Sequence, residues 1–209
     1  VAKLQQYTIE LYKEIEEVSG QDCGIHITGG VMLADTPERM DWLRMSHARG
    51  RYLGMETELI SVAEAKELLP IFEEKYFVGA MYDAHEGHVD PTGVTHAYAK
   101  AARQAGAEIY RDTWARDLHH QADGTWRVDL IQTSTGEDAG AIVCDHVVNA
   151  GGLWAREVGR MCGLELPILA MEHMYLLTED IPAVAEFNAE HGEVLHCIDF
   201  AGEIYMRQE

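Results

Sequence analysis

Apolar positions at the start of the chain recur every three or four residues. Leu4, Tyr7, Leu11, Ile15 and Val18 share one helical face, and Gly20 supplies the stop. Residues 24–34 turn β-like, with Gly29-Gly30 as a bend or bulge. Thr36 and Pro37 cap and open a second helix carrying Met40, Leu43, Met45 and His47. A short strand over 58–61 follows. Ser61 then caps a helix through Ala65 and Leu69 that ends at Pro70, and 77–82 reads as a strand. Asp90-Pro91 starts the cleanest helix of the chain. Its apolar face is Val94, Ala97, Tyr98, Ala101 and Ala105, and it closes at Gly106.

Strands are predicted next over 107–110, 114–118 and 126–131, with Asp123-Gly124 as a hairpin turn between the last two. A strand over 141–149 runs into Gly151-Gly152 and a helix over 153–161. Strands over 168–178 and 195–205 complete the pattern. This order predicts a mixed α/β (α+β) architecture: part of a Rossmann-like cofactor domain plus an antiparallel-sheet substrate domain. The expected division sets residues 1–19 and 78–163 in the first and 20–77 and 164–209 in the second, with strands 24–34 and 168–178 in one sheet. Helix and strand patterns run up to both ends, and the glycine-rich loop that opens a dinucleotide fold is absent, so the chain reads as an internal piece of a larger enzyme.

Charge narrows the function classes. Sixteen Lys and Arg against 36 Asp and Glu give a formal charge of −20, which argues against nucleic acid and against a polybasic membrane surface. No apolar run approaches the ~20 residues that span a bilayer. Cys23, Cys144, Cys162 and Cys197 are scattered without a C-x-x-C pair, as expected of reduced thiols in the cytoplasm.

Several positions could carry chemistry. Asn149-Ala150-Gly151-Gly152 ends a predicted strand, where open α/β sheets bind ligands. Glycines there allow close approach, and a following helix offers N–H groups; a plain turn is the alternative. His85-x-x-His88-x-Asp90 has metal-ligand types, but Asp90 is already explained as a helix cap, so no metal is expected. Alternation sets His173 and Tyr175 on one strand face, and Tyr205 and Arg207 on another. A core histidine and a structural ion pair are the competing readings. Arg207 could also pair with a substrate carboxylate.

Gly87-His88-Val89-Asp90-Pro91 with Ala105-Gly106-Ala107, the run Val148 to Ala155, Gly163-Leu164 with Pro167, Glu172 to Thr178, and Ile204 to Glu209 occur in register. Together they resemble the dimethylglycine and sarcosine dehydrogenase/oxidase group of FAD-dependent oxidoreductases, in the D-amino-acid-oxidase-like superfamily. The resemblance implies oxidation of an N-methylated glycine-type amine, with hydride passing to FAD and the iminium hydrolysed or handed to folate. It implies His173 and Tyr205 as catalytic, Tyr175 and Arg207 on the substrate side, and Ala150, Gly151, Gly152 and Trp154 on the cofactor. Trp114, within 113–115, falls where the adenine-side contacts lie. It implies a small amine as partner, an electron acceptor that the sequence does not name, and the mitochondrial matrix if the source is eukaryotic. The 209 residues alone are expected to be inactive. A related amino-acid oxidase and a cofactor-free scaffold are the alternatives.

Overall fold

A computed structural model describes residues 2–208. Val1 and Glu209, which bound the expected division of the chain, lie outside the described residues. In chain order the elements are α1 (Ala2–Ser19), β1 (Gly30–Ala34), α2 (Pro37–Tyr52), β2 (Thr57–Ile60), α3 (Val62–Leu68), β3 (Gly79–Asp83) and α4 (Pro91–Gln104). Then come β4 (Thr113–His120), β5 (Trp126–Gln132), β6 (Asp138–Cys144), α5 (Ala155–Met161), α6 (Pro182–His191), β7 (His196–Asp199) and β8 (Ile204–Met206). The chain divides into two compact units. One holds residues up to Ala107 together with those from Thr178 onward, and the other is Glu108–Leu177.

The first unit is built on a mixed five-stranded sheet of order β2-β3-β1-β7-β8. β1 pairs antiparallel with β3, Val31 opposite Tyr82, and parallel with β7, Val31 opposite Cys197. Period-two alternation divides β1 between two cores. Val31 and Leu33 join Ala65, Leu69, Phe72, Val194 and Cys197, while Met32 and Ala34 join Met40 and Leu43 of α2. β1 is therefore covered on both faces, as suits a central strand with a parallel neighbour.

The helix starts follow local chemistry. Thr36 Oγ1 accepts from Arg39 N at 3.1 Å. Ser61 and Glu64 form a reciprocal capping box, with Ser61 N donating to Glu64 Oε2 at 2.7 Å and Glu64 N to Ser61 Oγ at 3.2 Å. Asp90 accepts from Thr92 N and Gly93 N at 2.9 and 2.8 Å. α1 packs along α4.

The second unit contains the antiparallel meander β4-β5-β6, with Trp114 opposite Ile131 and a bulge between Ala115 and Asp117. α5 packs against β4.

Several expected elements differ. Residues 107–110, 145–149 and 168–178 hold no strand. An extended segment becomes a strand only when a ladder partner takes its N–H and C=O groups, and no ladder among the described residues includes these segments. The expected pairing of 24–34 with 168–178 is therefore replaced by β1 with β3 and β7. The single strand over 195–205 is a hairpin instead, because Asp199 Oδ1 accepts from Ala201 N and Gly202 N at 3.0 and 3.1 Å and turns the chain. α6 was not anticipated. The compact units also cut across the expected division, since β3 beyond residue 77 pairs with β1 and β2.

Leu33 is 2% exposed within the larger core, whereas Tyr52 is 89% exposed. Leu33→Ala should cost about 2–5 kcal/mol by urea denaturation. Tyr52→Ala should stay within about 0.5 kcal/mol.

Candidate functional site

In the second unit the segment after β6 leads into the glycine turn. Asn149 closes that turn with its own side chain. Its Nδ2 donates to Ala155 O at 2.8 Å, and its Oδ1 accepts from Gly151 N at 3.1 Å. Gly152 has φ +54°, a conformation that side-chain-bearing residues avoid. A 3-10 turn, Gly152–Trp154, follows, and Trp154 N donates to Gly151 O at 2.9 Å. The 3-10 turn and the seven-residue α5 together cover the helix expected over 153–161, and Gly151 N and Trp154 N are hydrogen-bonded within the turn. What it leaves exposed is apolar surface, at Val148, Leu153 and Trp154, with Trp114 of β4 also exposed. Ala150, Gly151, Gly152 and Trp154 are close together along the turn. His173 and Tyr175 lie in the same unit, exposed, on the segment without regular structure, so no ladder enforces their alternation.

Tyr205 and Arg207 belong to the other unit. Tyr205 sits on β8 opposite Ile198 of β7. It borders an open groove of about 440 Å³ lined also by His196, Ile198, Phe200 and Glu203. His196, which the sequence reading did not single out, brings titratable chemistry to that groove. Its Nε2 lies 3.5 Å from Glu86 Oε1, and its buried Nδ1 has no hydrogen-bond partner. Burial, then the charges of His88 and Arg207, hold its pKa below the ordinary imidazole value. Burial, then the neighbouring Asp83, pushes Glu86 up to about 7. Both shifts disfavour the charged form of each partner, so burial works against a full ion pair at this contact.

The His85-x-x-His88-x-Asp90 trio does not assemble. Asp90 caps α4, and His85 Nε2 lies 3.3 Å from Glu56. His88 instead meets His26 and Glu193. The residues that sequence reasoning missed, His26, Glu86, Glu193 and His196, come from segments far apart in the chain. Sheet pairing brings Glu86 and His196 to the Gly30 end of β1, and an isolated bridge to His88 positions His26 beside Glu193.

The chain matches the profile described as FAD dependent oxidoreductase over residues 1–209. It belongs to that family. The FAD-dependent oxidoreductase chain is 35% identical over 207 residues to mitochondrial dimethylglycine dehydrogenase of Rattus norvegicus, covering 99% of this chain and 23% of that protein. It is 33% identical over 174 residues to mitochondrial sarcosine dehydrogenase of Homo sapiens, covering 82% of this chain and 18% of the relative. The crystal structure of glycine oxidase from Geobacillus kaustophilus superposes with a TM-score of 0.63 at 32% identity, over 75% of this chain and 40% of that one. The chain therefore spans less than a quarter of these two dehydrogenases. Its mixed α/β architecture with a separate antiparallel sheet is that expected from the sequence. No described helix is long and apolar enough to cross a membrane.

Glu86 generates a pH prediction. Its folded pKa of about 7 lies above the ordinary 4.5. Between those values the folded state keeps a proton that the unfolded chain has lost, so this group's contribution to stability falls as pH rises from about 4.5 to about 7, then levels off. Glu86→Gln should abolish a loss on the order of 3 kcal/mol. Urea denaturation of both proteins across that pH range checks it.

Proposed function

We propose that this chain is part of an enzyme that oxidises an N-methylated glycine-type amine, dimethylglycine or sarcosine, by hydride transfer to FAD. The observation that carries the reading is the 35% identity to a dimethylglycine dehydrogenase across nearly the whole chain. FAD, when bound, accepts the hydride. The surface of the second unit suits such a group: the glycine turn at 150–152, held by Asn149, stands beside exposed Trp154 and Val148. In this reading Ala150, Gly151, Gly152 and Trp154 contact the cofactor, with Trp114 on its adenine side.

The substrate roles are proposed from matching family positions. The His173 imidazole accepts or orients the amine proton, since only the free amine can surrender a hydride from its N-methyl carbon. Tyr205 donates to the substrate carboxylate or to the water that attacks the iminium. Tyr175 and Arg207 flank the substrate, Arg207 as a carboxylate partner. The iminium is then hydrolysed, or its carbon is passed to folate. In this reading residues 1–19 and 78–163 serve the cofactor, and 20–77 and 164–209 serve the substrate. The mitochondrial matrix or the cytoplasm is the proposed compartment.

Stopped-flow flavin reduction by dimethylglycine and sarcosine in the whole protein tests this. His173→Ala should slow reduction by ~10²–10⁴-fold at unchanged FAD content. Tyr205→Phe, which loses one hydrogen bond, should lower turnover by only about 0.5–1.5 kcal/mol. Wild-type rates in both variants would reduce the two residues to structural roles. A whole protein without flavin absorbance would overturn the reading itself.

A further inference from the structure

We propose that His26, His88 and Glu193 form a divalent-metal site, suited to Zn²⁺, distinct from the flavin chemistry. The three residues come from three separate stretches of chain in the first unit. His26 Nδ1 lies 2.6 Å from Glu193 Oε2, and His88 Nε2 lies 3.7 Å from Glu193 Oε1. One ligand atom from each falls within 4.8 Å of the other two. Two imidazoles and a carboxylate are a zinc ligand set that leaves a fourth position for water. Zn–N and Zn–O bonds of about 2.0–2.2 Å put tetrahedral ligand atoms roughly 3.3 Å apart, so these atoms need to shift by on the order of 1 Å.

The backbone holds the two histidines in place. His26 N donates to His88 O and His88 N to His26 O, each at 2.9 Å. Gly87 permits this bridge, because a Cβ there would run into His26 O and lie 2.9 Å from the Ile27 Cα. Glu193 is fixed by its successors Val194 and Leu195, both buried in the core. The rings are stacked, with centroids 4.8 Å apart and planes 6° from parallel. Parallel planes cannot both contain one ion, so binding requires one ring to turn about χ2. That torsion is broad for histidine, and half-exposed His26 has room for it.

Charge favours occupancy. Glu193 faces His26 and His88, and the chain carries a formal charge of −20. The other His/Asp cluster, Asp117, His119 and Asp129, is a weaker candidate, because Arg127 Nε already occupies Asp129 at 2.8 Å. A bound ion would clip the segment before β7 to the His26–His88 bridge and stabilise the fold by mass action.

Titration of Zn²⁺ into the tag-free, chelator-treated 209-residue chain by calorimetry tests the site. One ion per chain should bind and raise the melting temperature. His26→Ala and Glu193→Gln should each weaken binding ~10-fold or more, because losing a ligand costs at least as much as losing a supporting contact. His119→Ala should bind like wild type. A Kd weaker than about 100 µM, or unchanged binding in the His26 and Glu193 variants, would overturn the proposal. Co²⁺ bound to the wild-type chain keeps the test independent of variant folding. Intense tetrahedral d–d bands without thiolate charge transfer support the site; weak octahedral bands, or a thiolate band, contradict it.

Discussion

β1 has hydrogen-bonded neighbours on both edges, β3 antiparallel and β7 parallel. Five residues thereby join three stretches of chain that lie far apart in sequence. The parallel partner arrives only after the chain has left to build Glu108–Leu177 and returned. That return is a long loop closure, whose entropy is recovered by burying Val194, Leu195 and Cys197 against Val31 and Leu33. β8 is reached through β7, so the placement of Tyr205 also depends on β1.

The same pairing crowds polar groups at the Gly30 end of β1. Gly30 lies opposite Asp83 on one side and His196 on the other. A side chain at Gly30 would come within 3.0 Å of His196 Nδ1 and still closer to the Glu86 carboxyl. Glycine there makes space for a buried acid and imidazole that both resist charging. A few ångströms of backbone register thus set the titration of groups that no local motif reveals.

How much was legible in the sequence depended on the range of the interaction. The caps at Thr36, Ser61 and Asp90 are local, and each formed as read. The Asp123-Gly124 turn and the strands flanking it are equally local, and β4-β5 pairs as expected. The mixed α/β class followed from the element order. Strand pairing was not legible. The run 168–178 has strand composition, but composition does not supply a ladder partner, and Met174 is fully exposed. α6 was missed because its apolar positions form no clear stripe, although Pro182 marks its start. The glycine turn at 149–152 was visible, while Asn149 as its clamp was not, since that role needs the position of Ala155. His196 and Glu86 are 110 residues apart and meet only across the sheet.

Native-state hydrogen exchange tests the dependence on β1 most directly. The amides of β1 and β7 should exchange at the same free energy, equal to that of global unfolding, because neither strand can leave without opening the shared core. Amides of 169–174, which belong to no ladder among the described residues, should exchange far faster than those of β1 and β7. Exchange of β7 at a distinctly lower free energy than β1 would show that the returning strand is only docked, and would contradict the account.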